Sequence, residues 1–403
     1  MSLSNAKIYL FGEVASKLIP FILLPYLTNT LSKEHFGTVT LFQTYYNLFA
    51  IFFMIGIDTL TLRYRYRYGN RGIYSIRMIF EIWIGFILSV AILVKINNGA
   101  LFIDGLIAGA MYGLFNFYLS IEQAIDNPKN YIIKQVSNSV LSTIITILLF
   151  VVFVSDYKYR FYAVVISLAM CILFFRPRLQ RRTRLRKSGL EKLIKFILFS
   201  GSFLVLHRLS FFVKGQLDRI LVAKNFSLED LAIFGLAAQV AMAASLVIVG
   251  INRAYTPYIF SLCKTNSSSA ACVTMKHIKF SLLLVPIPSV IIYLTPETVY
   301  EYIFGNGYGH LGFYLSLLLI SQTVQIPYVI MSAIAQYEGK FKKLSYIVTL
   351  FSLLYGLVCL YVTNNRYDLV YLCIISAVFS IFQNLVIYYL AYKPVINKWL
   401  KND

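Results

Sequence analysis

Charged residues are scarce in this sequence. They make up 13% of its 403 residues, whereas a soluble globular protein carries about 25%. Hydrophobic residues make up 59%, and the mean hydropathy is +0.70. A chain this poor in charge and this rich in apolar side chains is neither a water-soluble enzyme nor a disordered protein.

Cysteine is also rare, and its positions form no disulfide or metal-binding pattern. No two of them are spaced as Cys-x-x-Cys, and all lie in or beside apolar runs: Cys171, Cys263, Cys272, Cys359 and Cys373. We therefore predict neither a disulfide framework nor a metal site. The first apolar run begins near Ile8 and lacks a small-residue cleavage site, so we expect it to remain as the first helix.

Long apolar runs dominate the sequence instead. Each is about 20 residues long, which is the length that a helix needs to cross a hydrocarbon core of about 30 Å. The runs predict an all-α polytopic membrane protein. Its twelve predicted helices span residues 8–30, 37–62, 73–94, 101–121, 131–154, 161–175, 193–223, 230–252, 277–294, 309–334, 343–363 and 368–391.

The breaks between these runs alternate in charge. The chain has 37 Lys and Arg against 17 Asp and Glu, for a net charge of +20. One set of breaks holds 25 cations, and the alternate set holds six: Lys33, Lys95, Lys158, Arg160, Lys224 and Arg366. Because cytoplasmic segments are enriched in Lys and Arg, this bias predicts that both termini are cytoplasmic. Membrane topology explains the basic residues more simply than nucleic-acid binding does.

A basic segment in the middle of the chain predicts two halves. Residues 1–175 and 193–403 each hold six predicted helices, and the linker 176–192 contains the run from Arg176 to Lys187. We expect this linker to contact anionic lipid headgroups; a dedicated partner or nucleic-acid site is the alternative.

The two halves resemble each other. Ser32-Lys-Glu-His-Phe-Gly37 and Ser227-Leu-Glu-Asp-Leu-Ala232 lie 195 residues apart, and each fits a Ser N-cap with acidic residues in the first helical turn. Six helices per half keep the same orientation, so we predict parallel repeats around a central cavity.

Several ionisable residues fall inside predicted helices. Glu13 and Lys17 are four residues apart, and His207, Lys214 and Asp218 form one stripe, with Arg208 beside it. An ionisable residue in mid-bilayer costs about 2.5–3.5 kcal/mol, so such residues usually face a cavity or a partner.

We therefore predict a cationic vestibule for an anionic headgroup, in which Arg208 is the least paired cation. Arginine suits this role because its planar fork matches phosphate oxygens. The alternative is that Glu13–Lys17 and Lys214–Asp218 are structural ion pairs. Asp58 is expected to pair with Arg63 or with a neighbouring helix. His207 is either a proton relay or a hydrogen-bonded structural residue.

Five segments resemble the polysaccharide transporter family, and within it the Wzx-type O-antigen flippases. These segments are Ile22–Gly37, Gly56-Ile-Asp-Thr-Leu-Thr-Leu-Arg63, Leu217-Asp-Arg-Ile-Leu-Val-Ala-Lys224, Tyr302-Ile-Phe-Gly-Asn-Gly-Tyr308 and Gln336-Tyr-Glu-Gly-Lys340. The resemblance implies the multidrug/oligosaccharidyl-lipid/polysaccharide exporter fold, in which two six-helix bundles enclose a cavity. It also implies that cavity cations bind substrate, and Lys17, Arg208, Lys214 and Arg253 fit this role by location.

The resemblance further implies what the protein moves and where. The expected substrate is an undecaprenyl-diphosphate-linked oligosaccharide of O-antigen, the polysaccharide part of lipopolysaccharide. It would be flipped to the outer leaflet of the bacterial inner membrane, beside an O-antigen polymerase and a chain-length regulator. No cofactor is expected, but coupling to a proton or sodium gradient is, with Glu13, Asp58, His207 and Asp218 as candidates.

Two other functions remain open on the sequence alone. A multidrug antiporter on the same fold would favour acidic cavity residues for cationic drugs. A membrane glycan polymerase would need a sizeable outer loop, but the longest here, from Thr295 to Tyr308, has about 15 residues. The sequence has no Ser/His/Asp constellation and no Gly-rich phosphate loop, so we predict no catalytic residue and no enzymatic activity.

Overall fold

The structure is a computed structural model. It describes residues 3–68, 72–97, 101–153, 155–177, 179, 187–265 and 267–401. Within these ranges only the backbone is described for residues 3–11, 66–68, 97, 187–188, 249, 251, 253–254, 257, 265, 267–268, 341 and 401. All regular structure in the described residues is helical.

The contacts within the chain define two compact units, Met1–Phe212 and Val213–Asp403. The first unit contains helices α1 (Leu3–Thr30), α2 (Lys33–Met54), α3 (Ile57–Tyr68), α4 (Ile73–Asn97), α5 (Leu101–Ala124), α6 (Pro128–Val152) and α7 (Tyr157–Phe174). The boundary between the units falls inside α8 (Lys187–Asn225). This boundary comes after the linker 176–192, at which the sequence divides the chain into two repeats, and the division into repeats stays a prediction.

The second unit contains the rest of the chain. Its helices are α9 (Leu228–Thr265), α10 (Ser267–Leu284), α11 (Pro286–Leu294), α12 (Glu297–Phe304), α13 (Leu311–Thr323), α14 (Gln325–Tyr337), α15 (Phe341–Asn364), α16 (Leu369–Ile387) and α17 (Lys393–Lys401). A five-residue π-helical turn, Tyr388–Tyr392, joins α16 to α17.

Each of the twelve predicted helices has a helical counterpart, but the structure divides several of them. Ten helical segments among the described residues are long and apolar enough to cross a membrane, or eleven if the bent pair α2–α3 is one span. The count of twelve spans stays a prediction. The segment expected to be an outer loop, 295–308, contains the short helix α12, because its Glu297–Phe304 stretch has no helix breaker.

Proline and glycine account for the divisions. Pro286 opens α11 directly after Val285, and Pro327 lies in the first turn of α14, after the junction at Val324. Proline lacks the N–H that a helix interior needs, so a helix tends to break just before it. Pro20 and Pro25 lie inside α1, which continues through both positions.

The α2–α3 corner is a left-handed turn. Ile55 and Gly56 have φ values of 46° and 66°, and the two helices meet there at an angle of 41°. Residues with side chains seldom adopt such φ values, whereas glycine does so readily. The apolar pattern continues through this corner, which is why one helix, 37–62, was predicted.

Small residues bring α2 and α5 close together. Gly105, Gly109 and Gly113 repeat every four residues along α5 and face α2. A Cβ atom on Gly109 would lie 2.6 Å from Cβ of Phe49 and 2.8 Å from the carbonyl oxygen of Tyr46. This is the small-xxx-small packing that lets membrane helices approach backbone to backbone.

The two Ser-x-Glu motifs do start helices, as predicted. The hydroxyl of Ser32 accepts a hydrogen bond from the backbone N–H of His35, at 3.2 Å. Ser227 accepts one from the backbone N–H of Asp230, at 3.0 Å, while the Asp230 carboxylate accepts from the backbone N–H of Ser227. Both motifs therefore supply the predicted N-caps.

Candidate functional site

Six helices line a polar cavity of about 330 Å³ in the first unit, namely α1, α2, α3, α5, α6 and α8. Its charged lining consists of Glu13 and Lys17 from α1, Asp58 from α3, and Arg208 from α8. Helices α5 and α6 contribute uncharged polar side chains. The structure thus brings together four of the eight residues that the sequence predicted for the site.

The α1 pair is a local ion pair. The Nζ atom of Lys17 lies 3.1 Å from Oε1 of Glu13, one helical turn away. The Lys17 side chain is 48% exposed, so the ammonium is accessible although it is paired. The hydroxyl of Ser139 on α6 donates to the carbonyl oxygen of Ser16 at 2.8 Å, and this bond fixes α1 beside the cavity.

The second pair joins residues 150 positions apart. An Nη atom of Arg208 lies 2.5 Å from Oδ2 of Asp58 and 3.2 Å from the hydroxyl of Thr59. The prediction that Arg208 is the least paired cation is therefore wrong, because α8 passes beside the start of α3. Asp58 pairs with a neighbouring helix, which was one of the two expected outcomes.

Two glycines allow this approach. A Cβ atom on Gly201 of α8 would collide with the carbonyl oxygen of Ile55, and one on Gly56 would lie 2.7 Å from Cβ of Leu204. Gly201 is two helical turns before Arg208, and Gly56 is two residues before Asp58. The close backbone contact at the corner therefore positions the two charges for pairing.

Uncharged polar residues also line the cavity, and they were not among the residues predicted for the site. Asn116, Ser120 and Gln123 lie on one face of α5, and Tyr131 and Gln135 lie four residues apart on α6. Amide and hydroxyl groups can donate and accept hydrogen bonds. Their helical spacing is visible in the sequence, but uncharged polar side chains mark a site less clearly than ionisable ones do.

The formal charge of this cavity is balanced. Its two cations face two carboxylates, whereas the sequence predicted an excess of positive charge from Lys17, Arg208 and Lys214. The difference arises because Asp58 joins the site and Lys214 belongs to the second unit.

Lys214 and Asp218 do not pair with each other in the structure. The Lys214 ammonium donates to Oε1 of Gln383 on α16 at 2.7 Å. The Asp218 carboxylate is buried, and it accepts from the backbone N–H of Arg219 at 2.8 Å and from the Tyr355 hydroxyl at 3.3 Å. The predicted alternative of a Lys214–Asp218 ion pair is wrong, since each side chain bonds a neighbouring group of the second unit.

The two remaining candidates are His207 and Arg253. His207 is exposed and is not part of the cavity lining, and its ring meets Phe211 edge-on at 5.0 Å. Arg253 lies in α9, and its side chain is outside the described part of the chain.

Further charged groups of the first unit are paired in its interior. Lys134 forms a buried ion pair with Glu122, and each side chain is 4% exposed. Arg160 was predicted to lie in an outer break, but it is buried in α7 and donates to the hydroxyls of Ser142 and Thr146, at 3.0 and 2.7 Å. The prediction failed because this cation comes after the start of its helix.

The basic segment begins at an ordered charge cluster. Arg176 reaches both carboxylate oxygens of Glu81, at 2.5 and 3.1 Å, and Tyr118 donates to the same carboxylate at 2.6 Å. The hydrogen bonds from Arg176 to Glu81 raise the pKa of its guanidinium. Most of the remaining segment is outside the described residues.

Comparison with solved structures shows the class of fold. The chain resembles the inward-facing conformation of a multidrug resistance MATE family transporter of the MOP superfamily, with a TM-score of 0.72, 17% identity, and coverage of 100% of this chain and 96% of that one. It also resembles a MOP superfamily transporter from Pyrococcus furiosus that is described as having a binding pocket of reverse polarity. The TM-score is 0.62 at 14% identity, and the match covers 96% of this chain and 94% of that one. The protein is thus an all-α multi-pass membrane protein with the fold of MOP-superfamily transporters.

Sequence comparison shows the family. The chain matches the polysaccharide biosynthesis protein family over residues 2–263. It is 32% identical to Lsg locus putative protein 1 of Haemophilus influenzae over 374 residues, which cover 90% of this chain and 92% of that protein. An uncharacterized membrane protein of the same organism is 30% identical over 371 residues, with 88% of each chain covered. The chain therefore belongs to the polysaccharide biosynthesis protein family.

Proposed function

We propose that this protein is a flippase for lipid-linked oligosaccharides. It would move undecaprenyl-diphosphate-linked repeat units of O-antigen, or of a related surface polysaccharide, from the cytoplasmic to the periplasmic leaflet of the inner membrane. The observation that carries the proposal is the polar cavity with Lys17 and Arg208, in a member of a polysaccharide biosynthesis family. The two six-helix halves would alternate access, as in other transporters built from repeats.

The cavity supports the binding of a diphosphate by exchange of partners. Lys17 and Arg208 are each held by a carboxylate and each partly exposed. A diphosphate that reaches them would replace Glu13 and Asp58 as their counter-ion. Arginine is suited to this exchange because its fork binds two phosphate oxygens at once.

The uncharged lining supports the binding of sugars. Asn116, Gln123 and Gln135 present amide groups to the same cavity as the cations. Sugar hydroxyls both donate and accept hydrogen bonds, and amides match them in both roles. The polyprenyl chain, which is apolar, would remain in the lipid.

We place the coupling step on the carboxylates that this exchange releases. Glu13 and Asp58 would lose their cations when the headgroup binds, and either would then need a proton or a sodium ion as its counter-charge. The diphosphate and the two carboxylates would thus compete for the same two cations, so substrate binding would favour ion uptake. Transport that stops with a protonophore but persists without sodium would assign the proton.

A cation-coupled multidrug exporter is the second candidate, and a specific observation favours it. Glu13 and Asp58 also line the cavity, and carboxylates are what a cationic drug requires. The first candidate depends on the cations of the cavity and the second on its carboxylates, so substitutions separate them.

The test is deletion of the gene in the native host, followed by complementation. The flippase predicts loss of surface repeat units and accumulation of single repeats on the carrier lipid in the cytoplasmic leaflet. Wild type and Lys192→Ala should restore the polysaccharide, whereas Arg208→Ala should not. Lys192 is the matched control because it is exposed, lies on the same helix and is not part of the cavity lining.

The other results refute the proposal. Single repeats that still reach the surface unpolymerised would indicate a polymerase. Unchanged polysaccharide together with increased drug sensitivity would indicate the multidrug exporter. Equal complementation by Arg208→Ala and Lys192→Ala would exclude the cavity as the headgroup site.

A further inference from the structure

The second unit has an apolar pocket of about 290 Å³ that the proposed function does not use. Helix α10, the α13–α14 junction and the end of α16 form its walls. Its floor is buried, with Met331 and Tyr392 exposed by only 2% and 1%.

Two irregularities of the helices meet at this pocket. One is the junction at Val324, followed by Pro327, and both residues line the pocket. The other is the π-helical turn, which supplies Tyr388, Tyr389 and Tyr392. Single π-helical turns within helices occur frequently at functional sites. Because the chain departs from regular helical geometry at both places beside this pocket, the side chains leave a space between the helices.

The pocket opens on an exposed apolar surface. Leu282, Leu385 and Tyr389, which form its rim, are 57%, 48% and 58% exposed. In a membrane-spanning protein, large apolar side chains with such exposure are covered by lipid chains. The occupant therefore enters from the bilayer, and its buried part is apolar.

The mouth of the pocket is basic. Lys279 lines it and is exposed, and no carboxylate of the described residues forms an ion pair with it. The ammonium of Lys393 lies 5.2 Å from the ring of Tyr389, which is a residue of the rim. Lysine and tyrosine side chains at the membrane interface bind anionic headgroups.

We propose that this pocket binds an anionic phospholipid, with one acyl chain in the apolar space and the phosphate at Lys279. The lipid would connect α10 to the π-helical turn and so stabilise the region where both helices depart from regular geometry. This inference does not depend on the flippase function, because it concerns a different cavity with a different lining.

Native mass spectrometry of the purified full-length protein tests the proposal. The protein is titrated with dioleoyl-phosphatidylglycerol, and in parallel with the zwitterionic dioleoyl-phosphatidylethanolamine. We expect wild type to retain phosphatidylglycerol preferentially. Lys279→Ala should weaken its retention about fivefold, the ratio that corresponds to about 1 kcal/mol for one lysine near a membrane surface.

Two matched controls separate the pocket from the general surface. Lys276→Ala removes an exposed lysine one turn away that does not line the pocket, and it should leave retention unchanged. Leu282→Trp should fill the mouth and reduce retention, whereas Leu283→Trp, at a 71% exposed position outside the lining, should not.

Three results would overturn the proposal. The first is equal retention of the two phospholipids by wild type. The second is an equal loss in Lys276→Ala and Lys279→Ala, which would indicate diffuse charge attraction. The third is displacement of phosphatidylglycerol from wild type by an equimolar amount of polyprenyl phosphate, which would assign the pocket to an isoprenoid lipid.

Discussion

The Asp58–Arg208 pair yields a test that distinguishes a substrate-binding cation from a structural one. If Arg208 binds the diphosphate, then Arg208→Gln removes a charge-assisted hydrogen bond to the substrate, whereas Asp58→Asn removes the competing partner. The first substitution should weaken binding and the second should preserve or strengthen it. A purely structural pair predicts that both substitutions have similar effects.

The expected loss of binding free energy in Arg208→Gln follows from the geometry of the pair. The two side chains are 28% and 23% exposed and their charged atoms are 2.5 Å apart, so the pair lies between the exposed and buried extremes. A hydrogen bond to a charged group contributes about 1.5–3 kcal/mol. A loss of about 2 kcal/mol corresponds to about 30-fold weaker binding. Replacing Asp58 by Asn removes the carboxylate's charge and leaves the Arg208 fork free for phosphate.

The assay is equilibrium binding of a short-chain polyprenyl-diphosphate oligosaccharide to the purified protein, with thermal unfolding measured on each variant. Lys192→Ala serves as the control for loss of one cation from α8. The reasoning is refuted if Asp58→Asn weakens binding as much as Arg208→Gln does while both proteins remain folded. It is also refuted if Arg208→Gln binds as tightly as wild type.

Three further predictions concern stability and helix packing. Gly109→Ala should destabilise the protein by about 1–3 kcal/mol, because its Cβ has no room against α2. Gly85→Ala should not, because a Cβ at Gly85 meets nothing within 4 Å. Thermal unfolding compares the two variants, and equal melting temperatures would contradict the packing argument. Glu122→Ala should lower the free energy of unfolding by about 3–5 kcal/mol, because it leaves Lys134 buried without a counter-ion. Replacing both residues by Leu should recover most of that stability. A double variant that is no more stable than Glu122→Ala would contradict this prediction. Gly201→Ala should push α8 away from the α2–α3 corner. It should therefore weaken binding of the polyprenyl-diphosphate oligosaccharide, as Arg208→Gln does. Unchanged binding would show that the corner does not position Arg208.

The sequence predicted features that depend on local spacing. The apolar runs placed the helices because length and hydropathy are properties of each run. Glu13 and Lys17 were recognised as a possible pair because four residues span one helical turn. The Ser32 and Ser227 caps were identified for the same reason, since a capping hydrogen bond spans three residues.

Features that depend on distant contacts were missed. Nothing in the local pattern connects Asp58 to Arg208, because their pairing requires the close backbone contact between the corner and Gly201. The left-handed turn at Gly56 was missed because a single helix, 37–62, was predicted across it. The stripe of Asn116 and Gln123 was overlooked for another reason, namely that uncharged polar residues occur widely in membrane helices and carry a weaker signal than charges.

Two neighbouring hairpins of the first unit bear on how the chain enters the membrane. Lys95 at the end of α4 lies 2.5 Å from Asp104 near the start of α5, and Glu122 near the end of α5 pairs with Lys134 on α6. Each charge therefore has its counter-charge on the next helix in the chain. If each pair of helices inserts together, the charges are neutralised before they lose water, and the insertion penalty of about 2.5–3.5 kcal/mol per charged residue is reduced. Each charged helix would then be followed during synthesis by the helix that carries its counter-charge.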